Sequence, residues 1–252
     1  MTGLTRGSAG RSGVYAGAMV SAVAAVAMIG PVALSGCGST RAPAVASVQG
    51  VTITRAALAH WTRIKNIELQ SSSKPTSTSS SVQLEQKALA FLITADWLQA
   101  EAVARGVVVS PSEVNLTYQE LANGPTGQAF ASSLPRRGMT RADELLQLRI
   151  QMLTHKLKAK IAAGYNGASV AQIAGYYHAH ASQFQGHGHR QQTLAAATPA
   201  IRQTLLQAGQ EQRVSAFVAT FRQRWKGRTT CQPGYVIPEC RNGPPLPDSP
   251  TK

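Results

Sequence analysis

From Thr54 to Trp225 the apolar residues recur at helical spacing in one segment after another, several of them opened by a residue suited to cap a helix. That pattern commits most of the chain to α-helix and leaves little of it free to build a sheet. Thr54 opens a helix to about Leu69, with Leu58, Trp61, Ile64 and Ile67 on one stripe. A longer helix, about Val82 to Arg105, carries Leu89, Leu92, Ile93, Trp97, Ala100 and Ala104, and Gly106 ends it. Ser110-Pro111-Ser112-Glu113 combines an N-cap, a first-turn proline and a glutamate three residues on, which announces a helix to about Ala122. Thr140 caps a helix to about Ala163, and Ser169 opens another through Tyr176 and Tyr177 to Phe184. A short helical piece is expected near Phe130, within the Gly/Pro-rich stretch from Asn123 to Gly138. The last helix is expected from about Pro199 to Lys226.

Outside the helices, Val45 to Thr54 alternates apolar and polar residues around Gln49-Gly50 and reads as a small hairpin. Residues 71–81, almost all Ser, Thr and Pro, read as a flexible low-complexity linker. The fold expected is therefore mainly α, with one small N-terminal β element.

Three cysteines divide unequally. Cys231 and Cys240 bracket Gln232 to Glu239, where Pro233-Gly234 supplies a turn that brings the ends together. The pair is expected as a disulfide closing a C-terminal loop, worth about 2.5–3 kcal/mol on the chain-entropy account. No Cys-x-x-Cys spacing and no neighbouring histidine favours metal there.

The third, Cys37, follows a different logic. Arg6 and Arg11 form a basic, acid-free leader, an apolar run spans Val14 to Leu34, and Leu34-Ser35-Gly36-Cys37 closes it. Gly30-Pro31 interrupts the run, which argues against a permanent spanning helix. The segment resembles a bacterial lipoprotein leader. That resemblance implies cleavage after residue 36, lipidation of Cys37 and attachment to the outer face of the cell membrane. Each buried acyl CH₂ adds about 0.8 kcal/mol, and two chains anchor where one lets go.

Twenty-five Lys and Arg stand against eleven Asp and Glu, a net charge of +14. For an exported chain this suits anionic lipid headgroups, acidic wall polymers or acidic unfolded polypeptides as partners, and nucleic acid is not expected. Catalytic patterns are missing from the sequence. There is no Gly-x-Ser-x-Gly, no phosphate-binding glycine loop, no spare cysteine and no presented pair of carboxylates. No cofactor is expected. His178, His180, His187 and His189 are the one histidine cluster, but two residues apart on a helix puts His178 and His180 on opposite sides. His187 and His189 lie in a Gly-rich loop with no completing ligand, so no metal is expected. Asp96, inside the long helix, is expected to be solvated or to cap rather than to anchor the interior.

Three stretches in order resemble the SurA/PrsA family of extracytoplasmic foldases. Val48-Gln49-Gly50-Val51-Thr52-Ile53-Thr54-Arg55 is similar to the family's opening, with Gln49 where Asn is usual. Gly106-Val107-Val108-Val109-Ser110-Pro111-Ser112-Glu113-Val114 resembles its joint, and Ile173 to Phe184 resembles the helix preceding the parvulin-type prolyl isomerase module. The segment from Phe217 to Cys240 is similar to the C-terminal part of actinobacterial members. An isomerase module of about 100 residues would follow Phe184 in that family. Here Gln185 to Thr198 is all that stands before the last helix, without a β-rich stretch.

The resemblance thus implies a helical chaperone body at 45–184 and a polar His/Gly/Gln linker at 185–198 in place of the isomerase. A C-terminal helix and disulfide loop at 199–240 would return onto the N-terminal part. Residues 1–36 are the expected signal peptide, 37–44 a tether and 241–252 a disordered tail. The implied role is a membrane-anchored chaperone that binds unfolded or newly exported polypeptides, with no isomerase activity of its own. The alternative is a structural or assembly lipoprotein for one dedicated partner or an anionic wall polymer. The large apolar side chains, Met139, Met152, Phe217 and Trp225 among them, sit mainly at core spacing. A chaperone cradle would still expose some, and Trp61, Trp97, Tyr176, Tyr177 and Phe221 are the candidates for touching client.

Overall fold

A computed structural model of the chain describes residues 42–71, 80–185 and 191–247. The leader, Cys37, most of the serine-rich linker, His187, His189 and the last residues lie outside the described residues.

The N-terminal segment forms a hairpin of β1 (Ala44–Val48) and β2 (Val51–Thr54), antiparallel, with Val48 opposite Val51. Gln49 (φ 48°) and Gly50 (φ 86°) make the turn, both left-handed, as a tight hairpin matched to strand twist requires. Thr54 then accepts from the Ala57 amide and starts α1 (Arg55–Ser71). Helix α2 (Ser81–Ala104) opens on a Ser80/Gln83 capping box and stops at Gly106 (φ 61°). Helix α3 (Pro111–Asn123) has the expected box, with Glu113 and Ser110 reciprocally bonded. Then come α4 (Gly127–Arg136), α5 (Arg141–Ala162) capped by Thr140 with Asp143, and α6 (Val170–Ala179) capped by Ser169 with Gln172. A short 3-10 turn, Ala181–Phe184, follows. No helix among the described residues is long and apolar enough to cross a membrane.

Helix α7 differs from expectation. It runs Leu194–Lys226, capped by Thr193, so Pro199 lies in its second turn rather than at its start. A proline there removes only one ladder bond, and a helix this long absorbs the loss. The linker before it is shorter than 185–198 accordingly. The proposed tail also begins later than residue 241. Lys226 Nζ donates to the carbonyls of Pro238, Gly243 and Pro244, and Arg222 reaches the Pro247 carbonyl. Those bonds bind residues up to 247 to the end of α7.

Strand β3 (Thr229–Cys231) is the element the sequence does not announce. It pairs antiparallel with β1, placing Cys231 opposite Ala46, and gives a sheet of order β2-β1-β3. The Cys231–Cys240 disulfide forms as expected, with both sulfurs in the main core.

That core gathers the sheet, α1, α2 and the end of α7: Val45, Val48, Leu58, Trp61, Ile64, Leu89, Ile93, Trp97, Phe221 and Trp225. Trp61 packs on Phe91 with ring centroids 4.4 Å apart, joining α1 to α2. A second cluster around Val107, Val109, Val114, Leu148 and Leu157 joins α3 and α5 to the end of α2. A third is small and separate: Ile173, Ala197 and Ile201, with Tyr176, Tyr177 and Phe184 against them, binding α6 to the start of α7.

Candidate functional site

Helix α7 is anchored at its two ends and almost bare between them. Its buried residues are Ala197 and Ile201 in the third cluster, then Phe221 and Trp225 in the main core. The intervening stretch runs antiparallel along the C-terminal half of α5, with Phe217 against the main core beneath the Arg105 guanidinium. The contact is close where glycine permits it. A Cβ on Gly209 would lie 2.3 Å from the Tyr165 ring, so that ring lies flat against the helix backbone. Arg213 crosses back over Gly164, and its Nε donates to the Ile161 carbonyl at 3.0 Å.

Alongside this contact the two helices line an open cleft of about 770 Å³. Ala159, Ala162, Val214 and Val218 make its floor. His155 and Lys158 stand on the α5 rim; Gln207, Gln210, Glu211 and Ser215 stand on the α7 rim. Lys158 and Glu211 face the same cleft without forming an ion pair. Small apolar side chains below and amides above make a surface that tolerates many occupants. The amides can donate and accept toward the backbone of an extended chain.

The neighbouring cations are held in place by other work. Lys156 Nζ lies 2.6 Å from Glu113 and 2.9 Å from the Val108 carbonyl, and Lys160 Nζ donates to the Arg105 carbonyl at 2.6 Å. The Lys156 ammonium and the Ser110 amide hold the Glu113 carboxyl down to about 2. Between Leu145 and Lys252 the acidic residues are Glu211, Glu239 and Asp248, so the cleft sits in a cationic part of the chain.

The five expected client contacts are elsewhere. Trp61, Trp97 and Phe221 are 3%, 1% and 6% exposed and belong to the main core, so as surface contacts they are corrected. Their bulk is what closes the body: Trp97 stacks edge-on with Phe221, and its indole donates to Thr229 Oγ1 at 2.7 Å. Tyr176 and Tyr177 are half-buried on the third cluster. Tyr177 stacks on Phe184 and donates to the Gln192 carbonyl, while Tyr176 stacks on His180 at 4.0 Å. None of the five lines the cleft. His180 also uses Nδ1 locally, on the Tyr176 carbonyl. Among the described residues no group of three or more His, Cys, Asp or Glu comes together as metal ligands.

Two carboxylates stand at positions that carry no local signal of burial. Glu101 is 2% exposed on α2 and accepts from Arg105, Arg224 and the Trp225 indole. Burial pushes its pKa up, but those three donors outweigh it and hold the carboxyl below its ordinary value. Asp143 is held down in the same way, burial opposed by the Thr140 cap bonds and by His60 at 2.8 Å. Asp96 has no such help. Burial raises its pKa to about 6, and among the described residues no hydrogen bond or ion pair meets it.

The cleft residues themselves were not singled out by the sequence. Their signal is faint: Gln207, Glu211, Val214 and Val218 recur on one face of α7, but as small or polar side chains rather than an apolar stripe.

No curated protein and no solved structure gives a significant match to the chain. A family model described as a SurA-like N-terminal domain matches residues 10–158, which takes in the hairpin, α1 to α4 and α5 as far as Lys158. The match covers more than half of the sequence, and the chain belongs to the SurA-like N-terminal domain family.

Proposed function

We propose that this protein is a membrane-anchored extracytoplasmic chaperone that holds unfolded or newly exported polypeptides in the α5–α7 cleft, without prolyl isomerase activity of its own. Membership of the SurA-like N-terminal family points to a chaperone-type role. The observation that carries the finer reading is the cleft itself, open, floored by Ala159, Ala162, Val214 and Val218, and rimmed by polar side chains. An apolar floor of that kind gains by burying client side chains at about 25 cal/mol per Å², with no demand on their order. The anchoring rests on the basic leader and the Leu34-to-Cys37 box. The missing isomerase rests on the short interval between Phe184 and α7.

The test is the aggregation of a reduced, unfolded client with stoichiometric full chain, run beside a proline-peptide isomerisation assay. Suppression is expected, and Val214→Asp with Val218→Asp abolishes it. Aggregation at the control rate overturns the chaperone, and measurable isomerisation overturns the lost module. Labelled fatty acid should enter the parent in cells and not Cys37→Ser; equal labelling removes the anchor. The concentration of cationic residues after Leu145 favours one second reading, an assembly protein on an anionic wall polymer. Polymer binding that vanishes at moderate salt and ignores the neutral Val214→Asn would mark it.

A further inference from the structure

We infer that the cleft discriminates among clients by charge, taking extended segments in which small or medium apolar side chains are flanked by carboxylates. This rests on the client-holding reading above. Its basis is the asymmetry of the two rims. On α5 the cleft presents Lys158 and His155, and Lys158 makes no hydrogen bond or ion pair among the described residues. On α7 it presents amides, a serine and the single carboxylate Glu211.

One charge just outside adds to this. Arg213 donates through Nε to the Ile161 carbonyl and makes no ion pair among the described residues. Lys156 is paired with Glu113, and Lys160, two residues from Lys158, turns to the other side of α5 and the Arg105 carbonyl. Exposed charges act over roughly 8 Å at physiological ionic strength, so Lys158 and Arg213 carry the preference. A carboxylate on the α5 side of the floor is drawn in, and a lysine there is repelled.

The floor decides which polyanion fits. A chain of phosphates alone would leave Val214 and Val218 uncovered, whereas an acidic polypeptide covers them and offers peptide groups to Gln207 and Gln210. Helical rise puts the lined stretch of α5 and α7 at roughly 10–16 Å. That is about three to five residues of extended chain.

Three dye-labelled peptides test this against the full chain by fluorescence anisotropy. They share one Ala/Val/Leu centre and carry Glu, Gln or Lys flanks. At low salt the Glu peptide should bind about three- to tenfold more tightly than the Gln peptide, and the Lys peptide more weakly by a similar factor, as one or two exposed ion pairs allow. The differences should shrink towards nothing in roughly 0.5 M salt. Lys158→Glu should reverse the order of the Glu and Lys peptides, and the neutral Val218→Asn should weaken all three. Equal binding of the three peptides that Val218→Asn still weakens overturns charge selection and leaves the holding cleft intact. Failure of all three to bind overturns the cleft as a client site. Glu-peptide binding untouched by Val218→Asn, or displaced by phosphatidylglycerol vesicles that bind the Val218→Asn protein equally well, overturns the assignment in favour of a surface for anions.

Discussion

Asp96 is a carboxylate that its own fold works against. Its pKa in the folded chain is about 6, above the ordinary carboxylate value, because burial takes water from it and nothing replaces the lost hydrogen bonds. The folded state therefore binds the extra proton between about pH 4 and pH 6. Asp96 supports folding fully below that window and loses its contribution as pH rises through it. Asp96→Asn should raise stability by roughly 1–2 kcal/mol at pH 7.5, discounted for partial exposure, and by nothing at pH 4. Urea unfolding at the two values checks it, and equal gains at both would refute the burial account. Gln49 is the other residue held at a cost. Among the described residues it is the non-glycine residue with positive φ, at 48°, where a long side chain has little to gain. Asn is favoured at that corner, so Gln49→Asn should add a few tenths to about 1 kcal/mol in thermal unfolding. A loss instead would show that the Gln49 side chain does more than fill the turn.

Among the elements, what could be read from the sequence follows a physical line. The helices were legible because their signals are local: Ser110 with Pro111 and Glu113, or Thr140 ahead of Leu145 and Leu148, specify start and face within a few residues. Strand β3 was not, because Thr229-Thr230-Cys231 has no alternation of its own and becomes a strand only by lying on β1. Pro199 misled because first-turn proline is the commoner case, and only the Thr193 cap shows that the helix starts earlier. The cleft was illegible for a further reason. Sequence patterns reveal stripes of large apolar residues, and this floor is made of alanine and valine left uncovered along two helices. The contact alongside it turns on Gly209 and Tyr165. Gly209→Ala gains roughly 1 kcal/mol of helix propensity but displaces the Tyr165 ring. The substitution should therefore be neutral or destabilising in the parent and stabilising by up to about 1 kcal/mol in Tyr165→Ala. A double-mutant cycle reads the change of sign, and additivity would show that the ring does not rest on that glycine.

The molecule as a whole has cohesion at one end and a lighter assembly at the other. The sheet, α1, α2 and the last turns of α7 share the large core, fastened by Glu101 to Arg224 and Trp225 and by Trp97 to Thr229. Helix α6 and the start of α7 rest on a cluster of three buried residues, Ile173, Ala197 and Ile201. Amide exchange should divide along that line. Protons of α6 and of 194–205 should exchange through local opening at lower free energy than those of β1 and α2, with the difference largest under mild conditions. A single exchange free energy across both regions would mean that they open only together.

The pairing of β3 with β1 also sets a schedule for folding. The strand that β1 needs is made last, after nearly the whole body has been synthesised. Contacts of such long sequence separation form slowly, because loop closure comes before any reward. Until the chain is complete, Val45, Val48 and Trp97 have no Trp225, Thr229 or Cys231 to close over them. The protein must itself pass through a state with its apolar interior open and one strand edge bare. A chain proposed to shelter others in that condition begins by needing the same shelter, and the cross-link at Cys231 and Cys240 marks the end of the wait.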